Sequence, residues 1–337
     1  MPRSRKLLYG FAAVLVSVTA TLATLLAVDL TLHRKFENAA GLNIWGYRGR
    51  PAGRKGPREI RVVVLGGSTV LGYGLSGDET LPYFLEKLLN LSATGPTTYS
   101  VVNLGYNQAG AYSFRYTLED YAYLDYDIVI LYEGYNDLGN PNRYLSRREW
   151  LAYRLTGYMP ILPIVISEKI RLLREGDVRG APPDATYVFR PGIVSRTKAD
   201  ALAASQAIGD AIERRFRSVK NAESEVTGPP TADECVARWT FYCRGVAAGV
   251  DYARLHHKPV FVVTQPYFAP LHREQQRELQ NVLPRKYAAD RDVHFVNLGD
   301  TVNLHDPDMC WDGMHLTPTG NKLIAEALAA SVRASRN

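Results

Sequence analysis

The chain has 337 residues, of which 46% are hydrophobic and 22% are charged, a composition typical of a globular protein and not of a disordered or fibrous one. The formal net charge is +6 and the basic residues are scattered along the chain, so the sequence indicates no nucleic-acid partner. The three cysteines lack the paired spacing of a zinc site, and no metal is predicted.

The first long apolar stretch runs from Leu7 to Val28. As a helix its 22 residues span about 30 Å, which matches the hydrocarbon core of a bilayer. Basic residues precede the stretch, and Asp29 follows it. We therefore predict a signal anchor, in which residues 1–32 form a cytoplasmic stub and a single transmembrane helix while the rest of the chain is extracytoplasmic.

A cleaved signal peptide is the alternative, because small residues recur near Ala20 and Ala23, and cleavage there would release a secreted domain. The apolar core of a signal peptide normally covers about 7–15 residues, which favours the anchor. The next residues, 33–57, are polar and rich in glycine and predict a juxtamembrane linker. Within it the aromatic stretch Ile44–Tyr47 is expected to dock against the domain.

From residue 58 onwards, strand patterns alternate with helix patterns along almost the whole chain. Short apolar runs predict the strands Ile60–Leu65, Tyr99–Leu104, Asp127–Tyr132, Pro259–Thr264 and Val293–Leu298. Helix patterns predict Leu81–Leu91, Phe114–Leu124, Ala201–Ser218, Ala237–Leu255, His272–Leu283 and Pro318–Ala334, the last capped by Thr317. The alternation predicts a parallel sheet with helices on both faces, in one doubly wound α/β domain over residues 58–337.

The interval 140–231 is long for a single crossover between strands. An Arg- and Leu-rich helix pattern near Arg148–Arg174 is followed by proline-containing loops. We interpret this interval as a helical and loop insertion at the rim of the sheet, beside the carboxyl ends of the strands. A lid or substrate platform and an inert surface elaboration both remain open as roles for it.

Four segments place polar residues at the ends of these elements. Gly66–Ser68 ends the first predicted strand, Asn103–Gly110 follows the second, Gly134–Asp137 follows the third, and Asp312–His315 precedes the last helix. Because the carboxyl ends of parallel strands lie at one edge of the sheet, we expect these segments to converge there.

The residue types in these segments suit acyl transfer. The Ser68 hydroxyl is a weak nucleophile until a base takes its proton, and a neutral histidine such as His315 suits that role near neutral pH. Asp312 lies three residues before His315, so one tight turn can present both, and the carboxylate would fix the imidazole tautomer. The oxyanion needs donors, which the backbone N–H groups of Ser68 and a glycine and the side-chain amide of Asn136 would supply.

In this order the four segments resemble the four blocks of the SGNH or GDSL-type serine hydrolases, over most of residues 60–325. Gly66–Ser68 is similar to the block that carries the nucleophile, and Asn103–Gly110 is similar to the block whose glycine donates to the oxyanion. Gly134–Asp137 resembles the block Gly-x-Asn-Asp, whose asparagine is another donor. Asp312–His315 resembles the block Asp-x-x-His.

The sequence departs from the family pattern at two places. Gly67 stands where the family commonly has an aspartate, which puts the geometry of this loop in question. The spacing from Asn103 to Gly110 is longer than in the family, so Gly105 is a rival to Gly110 as the oxyanion donor. Of the two glycines we expect Gly110 to donate.

The resemblance implies a flavodoxin-like three-layer α/β/α sandwich and a serine esterase that hydrolyses O-acyl esters, in particular O-acetyl esters, through an acyl-enzyme on Ser68. Resemblance to members tethered at the cell surface implies esters on a polysaccharide as substrates, and no metal or organic cofactor is required. An O-acyltransferase with the same triad, acting on an envelope or exported glycan, is the nearest alternative. A catalytically silent binding or assembly protein is an alternative of another class.

The sequence does not decide the roles of two further groups of residues, the tyrosines and the cysteines. Of the 21 tyrosines most should pack in the core, while Tyr135 and Tyr106 are best placed to stack on a sugar ring. Cys235 and Cys243 would lie about 12 Å apart along a continuous helix, too far for a disulfide unless the helix breaks. Cys310 is the other candidate partner, and a free buried cysteine is the remaining reading.

Overall fold

A computed structural model of the chain describes residues 3–37, 41–93, 95–139, 141–175, 197–198, 203 and 234–336. The predicted helix Ala201–Ser218 and the second half of the predicted insertion 140–231 lie outside the described residues, apart from isolated positions. The described residues comprise the N-terminal helix, the α/β domain and the first part of the insertion.

The centre of the domain is a parallel sheet of five strands in the order β2-β1-β3-β4-β5. The strands are β1 (Glu59–Gly66), β2 (Thr98–Asn103), β3 (Ile128–Tyr132), β4 (Val260–Val263) and β5 (Val293–Val296). Each of the five predicted strands is confirmed, with ends that differ from the prediction by two residues at most. The strand order is the flavodoxin-like one, in which ligands bind where the order reverses, beside the carboxyl ends of β1 and β3.

Helices cover both faces of this sheet. In the described part of the chain the α-helices, including those that do not touch the sheet, are α1 (Arg3–Glu37), α2 (Ser68–Leu71), α3 (Leu81–Leu91), α4 (Ser113–Asp120), α5 (Leu151–Thr156), α6 (Leu162–Glu175), α7 (Thr240–Leu255), α8 (Pro270–Lys286) and α9 (Pro318–Ala334). As predicted, the Thr317 hydroxyl caps α9 by accepting the N–H of Gly320 at 3.2 Å. The Arg148–Arg174 helix pattern is confirmed as the two helices α5 and α6.

The core divides into two apolar layers, one on each side of the sheet. Val62 and Val64 of β1 pack with side chains of α3 and α9, while Val63 and Leu65 pack with those of α4, α7 and α8. This alternation follows from the opposite orientation of successive side chains along a strand. It confirms the three-layer α/β/α architecture.

The strand register determines which residues meet at the carboxyl edge. Gly66 of β1 pairs with Tyr132 of β3, so the segments that follow these two residues leave the sheet side by side. On the other side of β1, Val64 pairs with Asn103, the last residue of β2. The turn that carries Ser68 therefore lies between the turns that follow β2 and β3.

The N-terminal helix α1 contains a stretch, Leu8–Phe36, that is long and apolar enough to cross a membrane. The side chains of this stretch are exposed up to Val28, and several of them are partly or fully buried from Asp29 onwards. Asp29 Oδ1 accepts the backbone N–H of Ile161 at 2.9 Å and that of Leu162 at 2.5 Å. The last turns of α1 thus dock against the start of α6.

The segment that follows α1 is docked along the edge of the domain. Tyr47, in the aromatic stretch that was predicted to dock, is buried, while Trp45 remains more than one-third exposed. The backbone N–H of Arg48 donates to the Asn103 carbonyl at 3.1 Å, which adds a short antiparallel bridge beside β2. The carbonyl of Gly46 accepts a hydrogen bond from Nε of Arg147 at 2.7 Å.

Cys235 and Cys243 form a disulfide, with their Cα atoms 6.2 Å apart. The predicted helix Ala237–Leu255 begins later than expected, because residues Ala237–Trp239 form a 3-10 turn and α7 starts at Thr240. Cys235 lies before both the predicted and the observed start of this helix, so the separation expected along a continuous helix does not apply. Cys310 is a free cysteine and is buried.

Candidate active site

The turn that carries Ser68 joins β1 directly to the single-turn helix α2. The backbone of Gly66 lies so close to β3 that a Cβ there would be 2.2 Å from the Tyr132 carbonyl oxygen. The Ser68 carbonyl accepts the N–H of Gly72 at 2.9 Å, and Gly72 has a φ of 76°. Because glycine adopts this left-handed conformation at little cost, the chain turns back after one helical turn and leaves Ser68 at the edge of the sheet.

Ser68, His315 and Asp312 form one hydrogen-bonded line. Nε2 of His315 lies 2.8 Å from Oγ of Ser68, and Nδ1 lies 2.6 Å from Oδ2 of Asp312. When Nδ1 carries the proton that is donated to the carboxylate, Nε2 is left to accept the proton of the serine. This is the arrangement that general-base activation of a serine requires.

Asp312 and His315 belong to one tight turn, as the sequence predicts. Oδ1 of Asp312 accepts the backbone N–H of Met314 at 3.0 Å and that of His315 at 2.7 Å, and Gly313 has a φ of 82°. Burial alone would raise the pKa of Asp312, but the hydrogen bonds from the His315 side chain and backbone outweigh it and hold that pKa below its usual value. Asp312 is therefore a carboxylate that faces the imidazole.

Two aromatic rings flank His315 that the sequence reasoning did not single out. The Trp311 ring stacks on the imidazole with centroids 5.4 Å apart at an interplanar angle of 20°, and the Tyr73 ring lies 5.3 Å away. Both rings limit the access of water to the imidazole. The position of Trp311 next to Asp312 was the available signal, whereas Tyr73 becomes apparent only through the fold.

Asn136 lies in the short 3-10 turn Tyr135–Asp137 that follows β3. Its Nδ2 donates to the Ala109 carbonyl at 3.0 Å, and a Cβ on Gly67 would be 2.2 Å from that nitrogen. A side-chain amide has two N–H groups. One donates to Ala109 and the amide also interacts with the Glu133 side chain, so an oxyanion would take the place of one of these partners. The fold thus brings the Asn136 amide directly beside the turn that carries Ser68.

The two rival glycines occupy different surroundings. The N–H of Gly105 donates to Oδ1 of Asn103 at 3.0 Å, which engages the group that an oxyanion would need. Gly110 lies against the Asp137 carboxylate: a Cβ on Gly110 would be 2.6 Å from Oδ1. Oδ2 of Asp137 accepts the N–H of Ala111 at 2.9 Å, which fixes the chain just after Gly110. The engaged N–H of Gly105 argues against Gly105 as the donor, and the choice of Gly110 stays a prediction.

Gln108, in the segment between Asn103 and Gly110, has an unusual backbone conformation that the sequence reasoning missed. Its φ is 61°, in the left-handed region that glycine normally occupies. Its carbonyl is fixed by the amide of Asn142 at 2.8 Å, and the next carbonyl, of Ala109, is fixed by Asn136. The lengthened spacing between Asn103 and Gly110 was the signal in the sequence.

The space beside Gly67 is filled by a residue of the neighbouring turn. A Cβ on Gly67 would lie 2.5 Å from Oε2 of Glu133, which follows the last residue of β3. Oε1 of Glu133 accepts the backbone N–H of Gly134 at 2.9 Å and that of Asn136 at 3.0 Å. A carboxyl group therefore lies beside the serine turn although Gly67 stands in place of the family's aspartate, and this group also accepts hydrogen bonds from the backbone of the Asn136 turn.

Glu133 and Asp137 form a pair of buried carboxyl groups behind this turn. Burial raises the pKa of Glu133 to about 7, although several hydrogen bonds act in the opposite direction. Burial, with the nearby charge of Glu133, raises the pKa of Asp137 to about 8. Near neutral pH the pair therefore holds protons that exposed carboxyl groups would have released.

The two tyrosines proposed as sugar platforms are placed differently. Tyr135 is buried, its hydroxyl donates to the Pro266 carbonyl at 2.5 Å, and its ring packs against His272 with centroids 4.7 Å apart. Tyr106 is buried as well, beneath the guanidinium of Arg147 at 5.0 Å, but it borders a cavity beside α2. In the described part of the chain, His, Cys, Asp and Glu form no cluster suited to a metal ion.

The sequence profile of the GDSL-like lipase/acylhydrolase family matches residues 62–328, most of the chain beyond the N-terminal helix. The chain belongs to this family and is an enzyme that hydrolyses ester bonds. No curated protein matches the sequence.

Solved structures of similar fold include three esterases. They are the acetylxylan esterase Axe2 from Geobacillus stearothermophilus (13% identity, TM-score 0.43, covering 81% of this chain and 94% of that one), the esterase EstA from Pseudoalteromonas sp. (11%, 0.42, 81% and 97%) and a family 3 carbohydrate esterase from Clostridium thermocellum (14%, 0.41, 82% and 98%). At this level of likeness no conclusion about the substrate follows.

Proposed function

We propose that the chain is a membrane-anchored, extracytoplasmic serine esterase that removes O-acyl groups, in particular acetyl groups, from a glycan. The observation that carries this proposal is the hydrogen-bonded line from Ser68 through His315 to Asp312, with donor–acceptor distances of 2.8 Å and 2.6 Å. This line gives the serine a base and gives the base an orienting carboxylate.

In the first half of the reaction Oγ of Ser68 forms a bond to the ester carbonyl carbon, and its proton moves to Nε2 of His315. The negative charge that develops on the carbonyl oxygen is received by N–H groups of Ser68, Gly110 and the Asn136 amide. The imidazolium, stabilised by Asp312, then gives the proton to the leaving alcohol as the bond between the acyl carbon and the alcohol oxygen breaks. The acyl group remains as an ester on Ser68.

In the second half water takes the place of the alcohol. His315 accepts a proton from water, the remaining hydroxide bonds to the acyl carbon, and the same donors receive the oxyanion. The bond to Oγ of Ser68 then breaks, and the imidazolium returns the proton to that oxygen. The products are a free carboxylic acid and the unchanged enzyme.

Two features support a location outside the cytoplasm. The apolar helix α1 is long enough to anchor the chain in a membrane. Disulfides such as Cys235–Cys243 persist mainly in oxidising compartments. The choice of a short acyl group on a glycan rests on the family resemblance.

The test uses the full-length protein in detergent with p-nitrophenyl acetate as substrate. Ser68→Ala should lower kcat/KM by at least about 10⁴-fold, because the residual activity then comes only from binding and the oxyanion donors. Ser92→Ala, which alters an exposed serine at the end of α3, is the matched control and should keep the full rate.

The outcomes separate the three candidate functions. Hydrolysis that requires Ser68 supports the esterase. Formation of an acyl-enzyme with little hydrolysis, followed by rapid turnover when a saccharide acceptor is added, would instead identify an acyltransferase. A folded wild-type protein that neither hydrolyses the ester nor forms the acyl-enzyme would favour the silent binding protein.

A further inference from the structure

A cavity of about 520 Å³ lies beside the turn that carries Ser68. One wall is the loop 71–75 that follows α2, and a second wall is the turn Tyr106–Gln108. The remaining walls come from the end of α1, the segment that follows it, and α6. They include Phe36 of α1, Leu42 of the segment after α1, and Ile164 of α6. Cavities of this size take a complete small molecule, and an acetyl group alone leaves most of the space unfilled.

Tyr73 connects this cavity to the catalytic histidine. Its ring borders the cavity, lies 5.3 Å from the imidazole of His315 and stacks on the ring of Trp311 at 6.2 Å. One side chain therefore separates the cavity from the group that protonates the leaving alcohol. A substrate with its acyl carbon at Ser68 has room for its alcohol portion on the side of Tyr73.

The lining of the cavity combines aromatic rings with hydrogen-bonding groups. Tyr144 and Trp150 contribute half-buried rings, Glu149 and Glu168 contribute carboxylates, and Asn107 contributes an amide. Aromatic faces pack against the C–H faces of a sugar ring, while carboxylates and amides form hydrogen bonds with its hydroxyl groups. A fatty acyl chain would bury these carboxylates against hydrocarbon, which is unfavourable. Arg48 also lines the cavity, but its guanidinium is buried and donates to the carbonyls of Gly72 and Leu75, so the carboxylates set the charge that a ligand meets.

The cavity also lies close to the end of the apolar stretch of α1. Phe36 is eight residues beyond Val28, or about 12 Å along a helix. The hydrogen bonds of Asp29 to the backbone of Ile161 and Leu162 join this part of α1 to the start of α6, whose later residues line the cavity. The anchor thus contributes one wall of the cavity and fixes its height above the membrane.

We infer that this cavity binds the alcohol portion of the ester, and that this portion is a neutral saccharide presented at the membrane surface. The inference rests on the proposed esterase function and adds the place where the glycan alcohol binds and the contribution of the anchor helix to that place. The anchor helix is then part of the substrate site as well as a tether.

The test fills the cavity from its exposed rim. Ser167 is an exposed residue of α6 that borders the cavity, so Ser167→Trp places an indole in it without disturbing the core. Lys169→Trp adds the same ring two residues further along, at an exposed position of α6 that does not border the cavity, and is the matched control. The full-length protein in detergent is assayed with partially O-acetylated cello-oligosaccharides and with p-nitrophenyl acetate, and unfolding temperatures are recorded for both variants.

The ratio of kcat/KM for the saccharide esters to kcat/KM for p-nitrophenyl acetate should fall by about tenfold or more in Ser167→Trp and stay at the wild-type value in Lys169→Trp. An equal ratio in the two variants would overturn the inference, as would a wild-type enzyme that cleaves p-nitrophenyl acetate but no saccharide ester. In the first case the whole proposed function still stands, and in the second its glycan substrate is lost while the serine esterase stands. Loss of the esterase proposal itself is recognised separately, by activity that persists in Ser68→Ala.

A second arm identifies the source of the saccharide. The protein is reconstituted in vesicles of phosphatidylethanolamine and phosphatidylglycerol, and the O-acetylated saccharide is offered either free or as the headgroup of a glycolipid in the same vesicles. Faster cleavage of the glycolipid supports a membrane-bound glycan, and faster cleavage of the free saccharide supports a soluble polysaccharide. Cleavage of neither, with p-nitrophenyl acetate still hydrolysed, overturns the inference.

Discussion

At the scale of single residues, the amide of Asn136 lies between the Ser68 turn and the Ala109 carbonyl. We expect Asn136→Ala to lower kcat by about 10²–10³-fold, the usual effect of removing one oxyanion donor. The measurement is the hydrolysis of p-nitrophenyl acetate, with Asn281→Ala, an exposed position on α8, as the control. A near-normal rate in folded Asn136→Ala would remove this residue from the oxyanion site.

Glu133 makes the stability of the protein depend on pH. Its pKa of about 7 lies above the ordinary value of 4.5, so the folded protein holds this proton more tightly than the unfolded chain does. The contribution of this group to the free energy of unfolding is full below about pH 4.5 and is lost as the pH rises to about 7. Glu133→Gln, which cannot ionise, should flatten that decline.

Chemical denaturation at several pH values between about 5 and about 8 measures this effect. The exposed Glu326 of α9 gives the control Glu326→Gln, which should keep the wild-type profile. Some slope is expected to remain in Glu133→Gln because the pKa of Asp137 is raised as well, by burial first and by Glu133 second. An unchanged slope in Glu133→Gln would contradict the assignment of the raised pKa to Glu133.

Single residues also show which features of the site could be predicted from the sequence and which could not. The four segments that resemble the family predicted the meeting of Ser68, Asp312 and His315, because each segment stands at the end of a predictable element. The departure at Gly67 was visible, but its compensation by Glu133 was not, since that contact depends on the register of β1 against β3. For the left-handed backbone of Gln108 the lengthened spacing marked the segment but not the position, because nothing in the residue type favours that conformation.

At the scale of elements, the loop after α2 is held by a guanidinium from the segment that follows α1. The buried Arg48 donates to the carbonyls of Leu71, Gly72 and Leu75, and Nδ2 of Asn103 donates to the Val70 carbonyl at 2.8 Å. These carbonyls lie at the end of α2, where a helix leaves its acceptors without partners of its own. Arg48 thus links the segment that follows α1 to the Ser68 turn.

Arg48→Ala should therefore lower both stability and rate. Leaving buried carbonyls unpaired should cost about 2–4 kcal/mol in the free energy of unfolding. A displaced loop should lower kcat/KM by about 10²-fold. Arg54→Ala, at an exposed position of the same segment, should change neither quantity, and an Arg48→Ala enzyme with wild-type stability and rate would contradict the role of this contact.

Element boundaries show a similar division between what was predictable and what was not. The strands could be predicted from the sequence because they are buried on both faces and therefore consist of runs of Val, Ile and Leu. The start of α7 at Thr240 was not, because its apolar pattern continues into the 3-10 turn Ala237–Trp239. The disulfide between Cys235 and Cys243 depends on that boundary, so the sequence left the pairing open.

At the scale of the whole molecule, the sequence predicted the apolar span but not how firmly the domain attaches to it. Asp29 and His33 are buried, and Nε2 of His33 lies 2.9 Å from the Met159 carbonyl. Met159 and Ile161, which these two side chains contact, are more than 120 residues away in the sequence, at positions that only the folded domain brings to α1. The domain therefore lies directly against the end of the helix.

The proposed topology predicts the result of limited proteolysis. Protease added to intact spheroplasts that express the chain should digest the domain after residue 33, because this part lies outside the cytoplasm. A cytoplasmic protein with its own epitope serves as the control for intact cells. A domain that resists protease in intact spheroplasts and is digested only after the spheroplasts are lysed would contradict the extracytoplasmic location.

The central claim is that Ser68 becomes covalently acylated, and a fluorophosphonate tests it directly because it bonds irreversibly to an activated serine. The full-length protein is labelled, digested and sequenced by tandem mass spectrometry, beside Ser68→Ala and His315→Ala. We predict a single adduct on Ser68 in the wild type, no adduct in Ser68→Ala, and labelling slowed by several orders of magnitude in His315→Ala. An active wild-type enzyme whose adduct lies on another residue, with Ser68 unmodified, would contradict the claim.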